Sequence, residues 1–131
     1  MQWLNVFVGL PFRDKGRDYE GIDCWGLVYL VYRDIYGISL PLYQGYESAH
    51  KSRQVMRIIE EGKSDWTEIP KKEAKLGDVA LFRLKSIPSH VGVFIDNHRF
   101  VHCTKKADCA IEKFNRLIWK NRLVGIFRYD K

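Results

Sequence analysis

Three residues of this sequence have the types that nucleophilic catalysis requires. Cys24 lies in Gly-Ile-Asp-Cys-Trp-Gly, His90 in Ser-His-Val-Gly and His102 in Phe-Val-His-Cys. A thiol becomes a good nucleophile when a neighbouring imidazole takes its proton. A third polar group then holds that imidazole in one orientation. We therefore consider Cys24 a candidate nucleophile, His90 its base and His102 the orienting residue.

A predicted helix over residues 24–36 would place Cys24 in its first turn. Its apolar residues recur at the spacing of one helix face, at Cys24, Leu27, Val28, Val31 and Ile35. Asp23 is suited to be the N-cap, and Gly37 is suited to end the helix. The positive end of the helix would stabilise a thiolate, and Gly26 would leave space for a substrate. From this segment alone, a buried structural cysteine is an equally good interpretation.

The two histidines lie in neighbouring predicted strands, 90–96 and 99–104. A tight turn at residues 96–98 would make these strands antiparallel neighbours. Residues near 90–92 would then lie opposite residues near 102–104, so both imidazoles could point the same way. The alternative is that the two histidines are structural residues at strand ends.

A zinc site is a further alternative, with Cys24, His90, His102 and Cys103 as ligands. No two of these four residues are spaced as Cys-x-x-Cys or His-x-x-x-His. In a strand, His102 and Cys103 would also point to opposite faces. The sequence therefore favours a site without metal.

The remaining pattern predicts an α+β fold, with helices first and an antiparallel meander after them. A short apolar helix is expected at residues 2–8, a loop at 12–22 and a second, charged helix at 47–61. Trp66 and Ile69 are expected to anchor a loop. The predicted sheet has about five strands, at residues 78–84, 90–96, 99–104, 110–114 and 123–129.

Length and composition predict one domain, residues 1–131, with an acidic partner. The net charge is +6, and the basic residues are scattered along the chain, which does not favour nucleic acid. No apolar run approaches the ~20 residues that span a bilayer, so no membrane partner is expected. The N-terminal residues do not form a secretory signal, so we expect synthesis in the cytoplasm.

Three cysteines without a secretory signal do not predict a disulfide framework. Cys103 alternates away from His102 and is expected in the core, whereas Cys109 follows a predicted turn and is expected to be incidental. His50 and His98 are expected to be solvated surface residues without a role.

Four segments in this order resemble the NlpC-type cell-wall cysteine peptidases, a compact papain-like group. The nucleophile segment is Gly-Ile-Asp-Cys-Trp-Gly-Leu-Val at 21–28, and Leu-Gly-Asp-Val-Ala-Leu-Phe at 76–82 resembles a family strand. The base strand is Ser-His-Val-Gly-Val-Phe-Ile at 89–95, and Phe-Val-His-Cys at 100–103 resembles the strand of the third catalytic residue. The resemblance runs from about residue 9 to the C-terminus and implies a papain-like fold.

The resemblance also implies the reaction. Cys24 would attack the carbonyl of a peptidoglycan stem peptide, next to D-glutamate, at its bond to the diamino acid. His90 would take the thiol proton and later protonate the leaving amine, while His102 orients His90. Water would then hydrolyse the acyl-enzyme. No metal or organic cofactor is implied.

One position departs from the family pattern. Family members often have a tyrosine twelve residues before the cysteine, where this chain has Phe12. The oxyanion would then depend on the Cys24 backbone N–H, and Tyr19 could supply a substitute hydroxyl. Asp23 and Trp25 flank the nucleophile in the same expected oxyanion and substrate region.

The segments Cys-Trp-Gly-Leu and Tyr-Gly-Ile-Ser-Leu-Pro resemble the small family members encoded with phage tail genes. Such proteins are built in the cytoplasm, assemble with other tail proteins and reach the periplasmic cell wall on the tail tip. Phe12 favours a second hypothesis, a structural tail-tip or adaptor protein without activity. A third hypothesis is a cytoplasmic thiol acyltransferase or amidase.

Overall fold

The computed structural model describes residues 3–42, 65–84 and 87–130. Its helices are α1 (Leu4–Phe7), α2 (Cys24–Tyr36) and α3 (Leu117–Arg122), with a 3₁₀ turn at Lys71–Glu73. Its strands are β1 (Arg17–Asp18), β2 (Gly21–Ile22), β3 (Trp66–Ile69), β4 (Val79–Leu84), β5 (Ile87–Phe94), β6 (Arg99–Thr104), β7 (Asp108–Lys113) and β8 (Leu123–Tyr129). None of the helices in these ranges is long and apolar enough to cross a membrane.

Within the described residues, the main sheet has six antiparallel strands in the order β3-β8-β4-β5-β6-β7. Side chains alternate between its two faces, so each face builds its own core. Val91, Val93 and Val101 pack under α2 in the larger core. Phe94 and Phe100 join a second, aromatic core on the other face, which Trp119 of α3 covers. This α+β architecture confirms the expected fold class.

Helix α2 has the bounds and caps that the sequence predicts. The Asp23 side chain accepts a hydrogen bond from the Gly26 backbone N–H at 2.8 Å. At the other end, Gly37 adopts φ of 68°, in the left-handed region that glycine tolerates best. The apolar face packs on β5 and β6. Cys24 therefore lies in the first turn of a helix that is fixed at both ends.

The hairpin between β5 and β6 also has the predicted turn. The Asp96 carboxylate accepts hydrogen bonds from the backbone N–H groups of His98 and Arg99, at 2.9 and 2.7 Å. The register pairs Val93 with Val101. This register aligns residues near 92 with residues near 102, which confirms the predicted alignment of the two strands.

Several predicted boundaries were wrong. β5 begins at Ile87, so His90 lies inside the strand rather than at its start. β7 begins at Asp108, before the predicted residue 110. The expected N-terminal helix is a single turn, Leu4–Phe7. The charged helix predicted at 47–61 lies outside the described residues.

Three elements were not predicted. Trp66–Ile69 is a strand paired with β8 rather than a loop, so the sheet has six strands instead of about five. Its Trp66 ring packs on Tyr129, with centroids 5.1 Å apart. The predicted loop at 12–22 contains the small hairpin of β1 and β2. Helix α3 is held by Trp119, whose side chain is buried in the aromatic core.

Candidate active site

The start of α2 is held by a buried ion pair. The Asp23 carboxylate is fully buried and accepts hydrogen bonds from the Lys15 backbone N–H, the Gly26 backbone N–H and Arg17 Nη1, each at 2.8 Å. Arg17 also donates to the backbone carbonyl of Gly16 at 2.8 Å. A buried charge that is paired and hydrogen-bonded fixes its surroundings. Asp23 therefore positions the helix start that carries Cys24.

The backbone of the preceding loop lies directly against the first turn of α2. A Cβ at Gly26 would lie 2.2 Å from the Gly16 carbonyl oxygen. The expectation that Gly26 leaves space for a substrate is therefore wrong, because the loop backbone fills that space. Glycine is required at this position so that the loop and the helix can approach each other.

Cys24 lies against the backbone of β5, at residues 89–91, which include His90. Its Sγ is 3.8 Å from the Ser89 carbonyl oxygen, and the Val91 backbone N–H bonds to the sulfur. β5 pairs with β6 at Val93 and Phe94, so the thiol lies beside the part of β5 that precedes this pairing. The helix start thus brings the sulfur to the strand that carries the candidate base.

The surroundings of Cys24 favour its protonated thiol over the thiolate. Burial raises the pKa of Cys24 well above its ordinary value, and the nearby Asp23 charge raises this pKa further. The Val91 N–H and the Arg17 guanidinium act in the opposite direction. Because the side chain is fully buried, nucleophilic attack requires a base that takes the proton during the reaction.

The structure brings His90 and His102 into direct contact. His90 Nε2 and His102 Nδ1 are 2.8 Å apart, and both side chains are buried. The Trp119 ring packs on both imidazoles, with its centroid 4.9 Å from that of His102 and 6.3 Å from that of His90. A Cβ at Gly92 would lie 2.8 Å from Phe100 Cδ2 and 3.3 Å from His102 Cβ. Glycine at 92 thus makes room for the aromatic and imidazole rings of β6.

Glu112, which the sequence did not single out, extends this pair. Its Oε2 lies 3.7 Å from His102 Nε2, and its Oε1 lies 3.6 Å from Arg116 Nη1. A carboxylate beside Nε2 favours the His102 tautomer with its proton on Nε2. His102 Nδ1 then accepts from His90 Nε2–H, which makes His90 Nδ1 the atom that can take a proton.

Tyr19, predicted as a possible substitute oxyanion donor, lies against α1 and the middle of α2. Its hydroxyl donates to Asp34 Oδ2 at 2.5 Å, and its ring packs on Phe7. Burial and the Asp34 carboxylate raise the pKa of Tyr19 to about 12. Asp34 lies ten residues after Cys24, or about 15 Å along a helix. The ring position of Tyr19 is thus set by the middle of α2 and not by its start.

Phe12 lies in the loop that precedes α2, and Trp25 lies in the first turn of that helix. Phe12 forms a parallel bridge with Ile22 and packs on the core under α2, and its backbone N–H donates to Asp108 Oδ1 at 2.9 Å. Trp25 is buried, and its Nε1 donates to the Pro41 carbonyl at 3.0 Å. Trp25 thereby anchors the segment that follows α2.

The other two cysteines, Cys103 and Cys109, lie in the larger core, under α2. Cys103 is fully buried, as expected, and its Sγ donates to the Ile22 carbonyl at 3.3 Å. Cys109 is not incidental, because it is buried and lies opposite Cys103 in the β6–β7 register. Among the residues that the structure describes, no group of three or more His, Cys, Asp or Glu side chains is arranged to hold a metal ion.

A helix-start thiol packed on an antiparallel sheet that carries the histidines defines a papain-like α+β protein. Residues 9–128 match the model of the NlpC/P60 family. The chain belongs to that family.

Known proteins support the same assignment. The murein DD-endopeptidase MepS/murein LD-carboxypeptidase of Escherichia coli K12 is 32% identical over 114 residues, which cover 87% of this chain and 53% of that protein. The gamma-DL-glutamyl hydrolase of Bacillus subtilis is 28% identical, over 99% of this chain and 29% of that protein. A crystal structure of an NLP/P60 family protein, similar to a lipoprotein, from Staphylococcus aureus has a TM-score of 0.68 at 25% identity, covering 95% of this chain and 38% of that one. The chain thus spans about half the length, or less, of these proteins.

Proposed function

We propose that this chain is a cysteine endopeptidase that hydrolyses peptidoglycan stem peptides. The observation that carries the proposal is the hydrogen-bonded pair of His90 and His102, in which His90 lies on β5, the strand whose backbone contacts the Cys24 thiol. Family membership and the murein endopeptidase name of the Escherichia coli relative support the substrate class. The net charge of +6 suits an anionic cell wall.

The reaction begins with transfer of the thiol proton from Cys24 to His90 Nδ1 as Sγ attacks the scissile carbonyl carbon. The charge that develops on the carbonyl oxygen faces the Cys24 backbone N–H, at the positive end of α2. His90 then gives the proton to the leaving amine, and the C–N bond breaks. Water, deprotonated by His90, hydrolyses the thioester and regenerates the thiol.

The charge balance at the helix start supports this mechanism. Asp23 alone would oppose negative charge on the sulfur and on the oxyanion. Arg17, 2.8 Å from Asp23, compensates that carboxylate. The positive end of α2 can therefore still stabilise negative charge on the sulfur and on the oxyanion, while Asp23 holds the first turn in place.

Hydrolysis is proposed between D-glutamate and the diamino acid of the stem peptide. The name of the Bacillus subtilis relative, a gamma-DL-glutamyl hydrolase, supports a glutamyl bond. The Escherichia coli relative is named for DD-endopeptidase and LD-carboxypeptidase activities. Cleavage at those bonds is the second candidate, and the products of the two reactions differ in mass.

The proposed setting is a phage tail tip. The protein would be made in the cytoplasm, assemble with other tail proteins and act on the periplasmic cell wall. The resemblance of the Cys-Trp-Gly-Leu and Tyr-Gly-Ile-Ser-Leu-Pro segments to small tail-encoded family members supports this setting. Detection of the protein by mass spectrometry in purified virions would test it, and its absence from virions would contradict it.

The activity is tested by incubating the purified protein with Gram-negative-type peptidoglycan and identifying the released fragments by mass spectrometry. Fragments that end in D-glutamate, from wild type and not from Cys24→Ala, are the expected result. Fragments cut at a D-Ala bond would support the second candidate. Release of no fragment by folded wild-type protein would contradict the peptidase and favour a structural role.

A further inference from the structure

We propose that Cys103 and Cys109 form an intramolecular disulfide across β6 and β7 when the chain meets a small-molecule disulfide oxidant such as oxidised glutathione. The two residues lie directly opposite each other in the register of these strands. Both are buried free thiols in the core under α2. The inference does not depend on the proposed peptidase activity.

The backbone hydrogen bonds of Cys109 show which kind of cross-strand pair this is. Its N–H donates to the Leu10 carbonyl at 3.0 Å, and its C=O accepts from the Gly9 N–H at 2.8 Å. Both groups point away from β6, so Cys103 and Cys109 form a pair without mutual backbone hydrogen bonds. The Cα atoms of such pairs lie about 4.5 Å apart, within the range of about 4.4–6.8 Å that disulfides use.

The surroundings can accommodate the bond. The Cys109 side chain lies close enough to Cys103 to raise the pKa of the Cys103 thiol. Oxidation would remove the hydrogen that Cys103 Sγ donates to the Ile22 carbonyl. That carbonyl also accepts from the Arg13 N–H at 3.0 Å, so it keeps a partner after oxidation.

The chemistry is a two-step exchange. The thiolate of one cysteine attacks the oxidant's S–S bond and releases one glutathione thiolate. The second cysteine, as thiolate, attacks the mixed disulfide and releases the other. Two electrons pass from the cysteine pair to the oxidant, and the two thiol protons end on the released glutathione molecules. The product joins the strand of His102 to the strand of Glu112 and leaves Cys24 as the single free thiol.

Peptide mapping tests the pairing directly. The full chain is refolded from urea in a buffer with oxidised and reduced glutathione, so that burial does not limit access to the sulfurs. Free thiols are alkylated, and the protein is digested with trypsin without reduction. Trypsin cuts after Lys105 and Lys106, so the bond would link two separate peptides, 100–105 and 107–113. We expect this linked pair, together with an alkylated Cys24 peptide, 18–33.

Two other results would overturn the proposal. One is alkylation of all three cysteines in folded protein under oxidising conditions. The other is a disulfide that includes Cys24. Cys103 is the alternative partner for Cys24, because it lies close enough to raise the pKa of the Cys24 thiol.

Matched variants provide an independent measurement. We expect oxidised wild type to melt about 5 °C above reduced wild type, because the bond restricts the unfolded chain. Cys24→Ala should keep this difference, whereas Cys109→Ala should melt at one temperature in both buffers. If Cys109→Ala does not fold, Cys109→Val, which fills the site, replaces it. A redox-dependent melting temperature that Cys109→Val retains would contradict the assignment.

Discussion

The candidate nucleophile, Cys24, and its candidate base, His90, are positioned by different physical means. The start of α2 is held by charge, through the buried pair of Asp23 and Arg17, and by a loop backbone that only glycine admits. The histidine pair is held by ring packing against Trp119 and by one hydrogen bond. Loss of a charge should therefore damage the first region, whereas a change of shape should damage the second.

The largest expected effect is on the base itself. His90→Ala removes the proton acceptor, so kcat/KM for a soluble stem peptide should fall by about 10³-fold. His98→Ala is the control, because that histidine is exposed in the β5–β6 turn. Chromatographic measurement of peptide hydrolysis gives both rates. Equal rates for the two variants would show that His90 has no role as base.

Arg17→Met tests the contribution of the buried Arg17–Asp23 ion pair at the start of α2. The change leaves the fully buried Asp23 carboxylate without its cation, so the free energy of unfolding should fall by about 3 kcal/mol. Arg33→Met is the control, since Arg33 pairs with Asp34 at a solvent-exposed site where a pair contributes less than about 1 kcal/mol. Urea denaturation measures both changes. Similar losses would contradict a special role of the buried pair.

Gly92→Ala tests the packing of β5 against the side chains of Phe100 and His102. The added methyl group would press on Phe100 and His102, so stability should fall by about 1–3 kcal/mol. Displacement of the His102 ring should also lower kcat by about tenfold or more. Gly125→Ala is the control, because its Cβ would press on Glu68 and Phe127 instead. If both variants lose stability and neither loses kcat, the packing around His102 does not serve catalysis.

The smallest expected effect is a shift in pH dependence. Charged groups near the pair include, among the described residues, Glu112 with Arg116 beside it and Arg122 over the Trp119 ring. Glu112→Gln removes a negative charge that favours protonated imidazole, so the acid limb of kcat/KM should move to lower pH by about half a unit. Arg116→Gln should move the same limb to higher pH, because less of the Glu112 charge is compensated.

Glu68→Gln provides the control for this shift. It changes the net charge by the same amount on β3, at the opposite edge of the sheet from β7. Its pH profile should match that of wild type. Shifts of the same sign in the Glu112 and Arg116 variants would rule out a local effect on the histidines.

The sequence predicted the elements whose signals are local. Helix α2 has several turns of one apolar face and a capping residue at each end, and the β5–β6 turn has an aspartate that binds its own backbone. Strand β3 has four residues, too few for an alternation to be recognised, and depends on its pairing with β8. Helix α3 has six residues and no side-chain cap, so tertiary packing of Trp119 decides its existence.

The same distinction holds within the site. The sequence predicted that His90 and His102 could point the same way, because that follows from turn position and register. The sequence did not predict the hydrogen bond from the Tyr19 hydroxyl to Asp34, since a residue in an irregular loop carries no periodic signal for the direction of its side chain. Glu112 reaches His102 across a hairpin from a position paired with Phe100. A register between two strands, known only from the structure, was needed to find that contact.

The close approach of Gly16 to Gly26 couples the unfolding of two segments. Neither the loop nor the first turn of α2 can open alone without breaking the bonds that Asp23 makes to both. The backbone amides of Lys15 and Gly26, which share this acceptor, should therefore exchange with solvent deuterium at similar rates. The nucleophile and the loop beside it then form one cooperative unit, which is ordered or disordered as a whole.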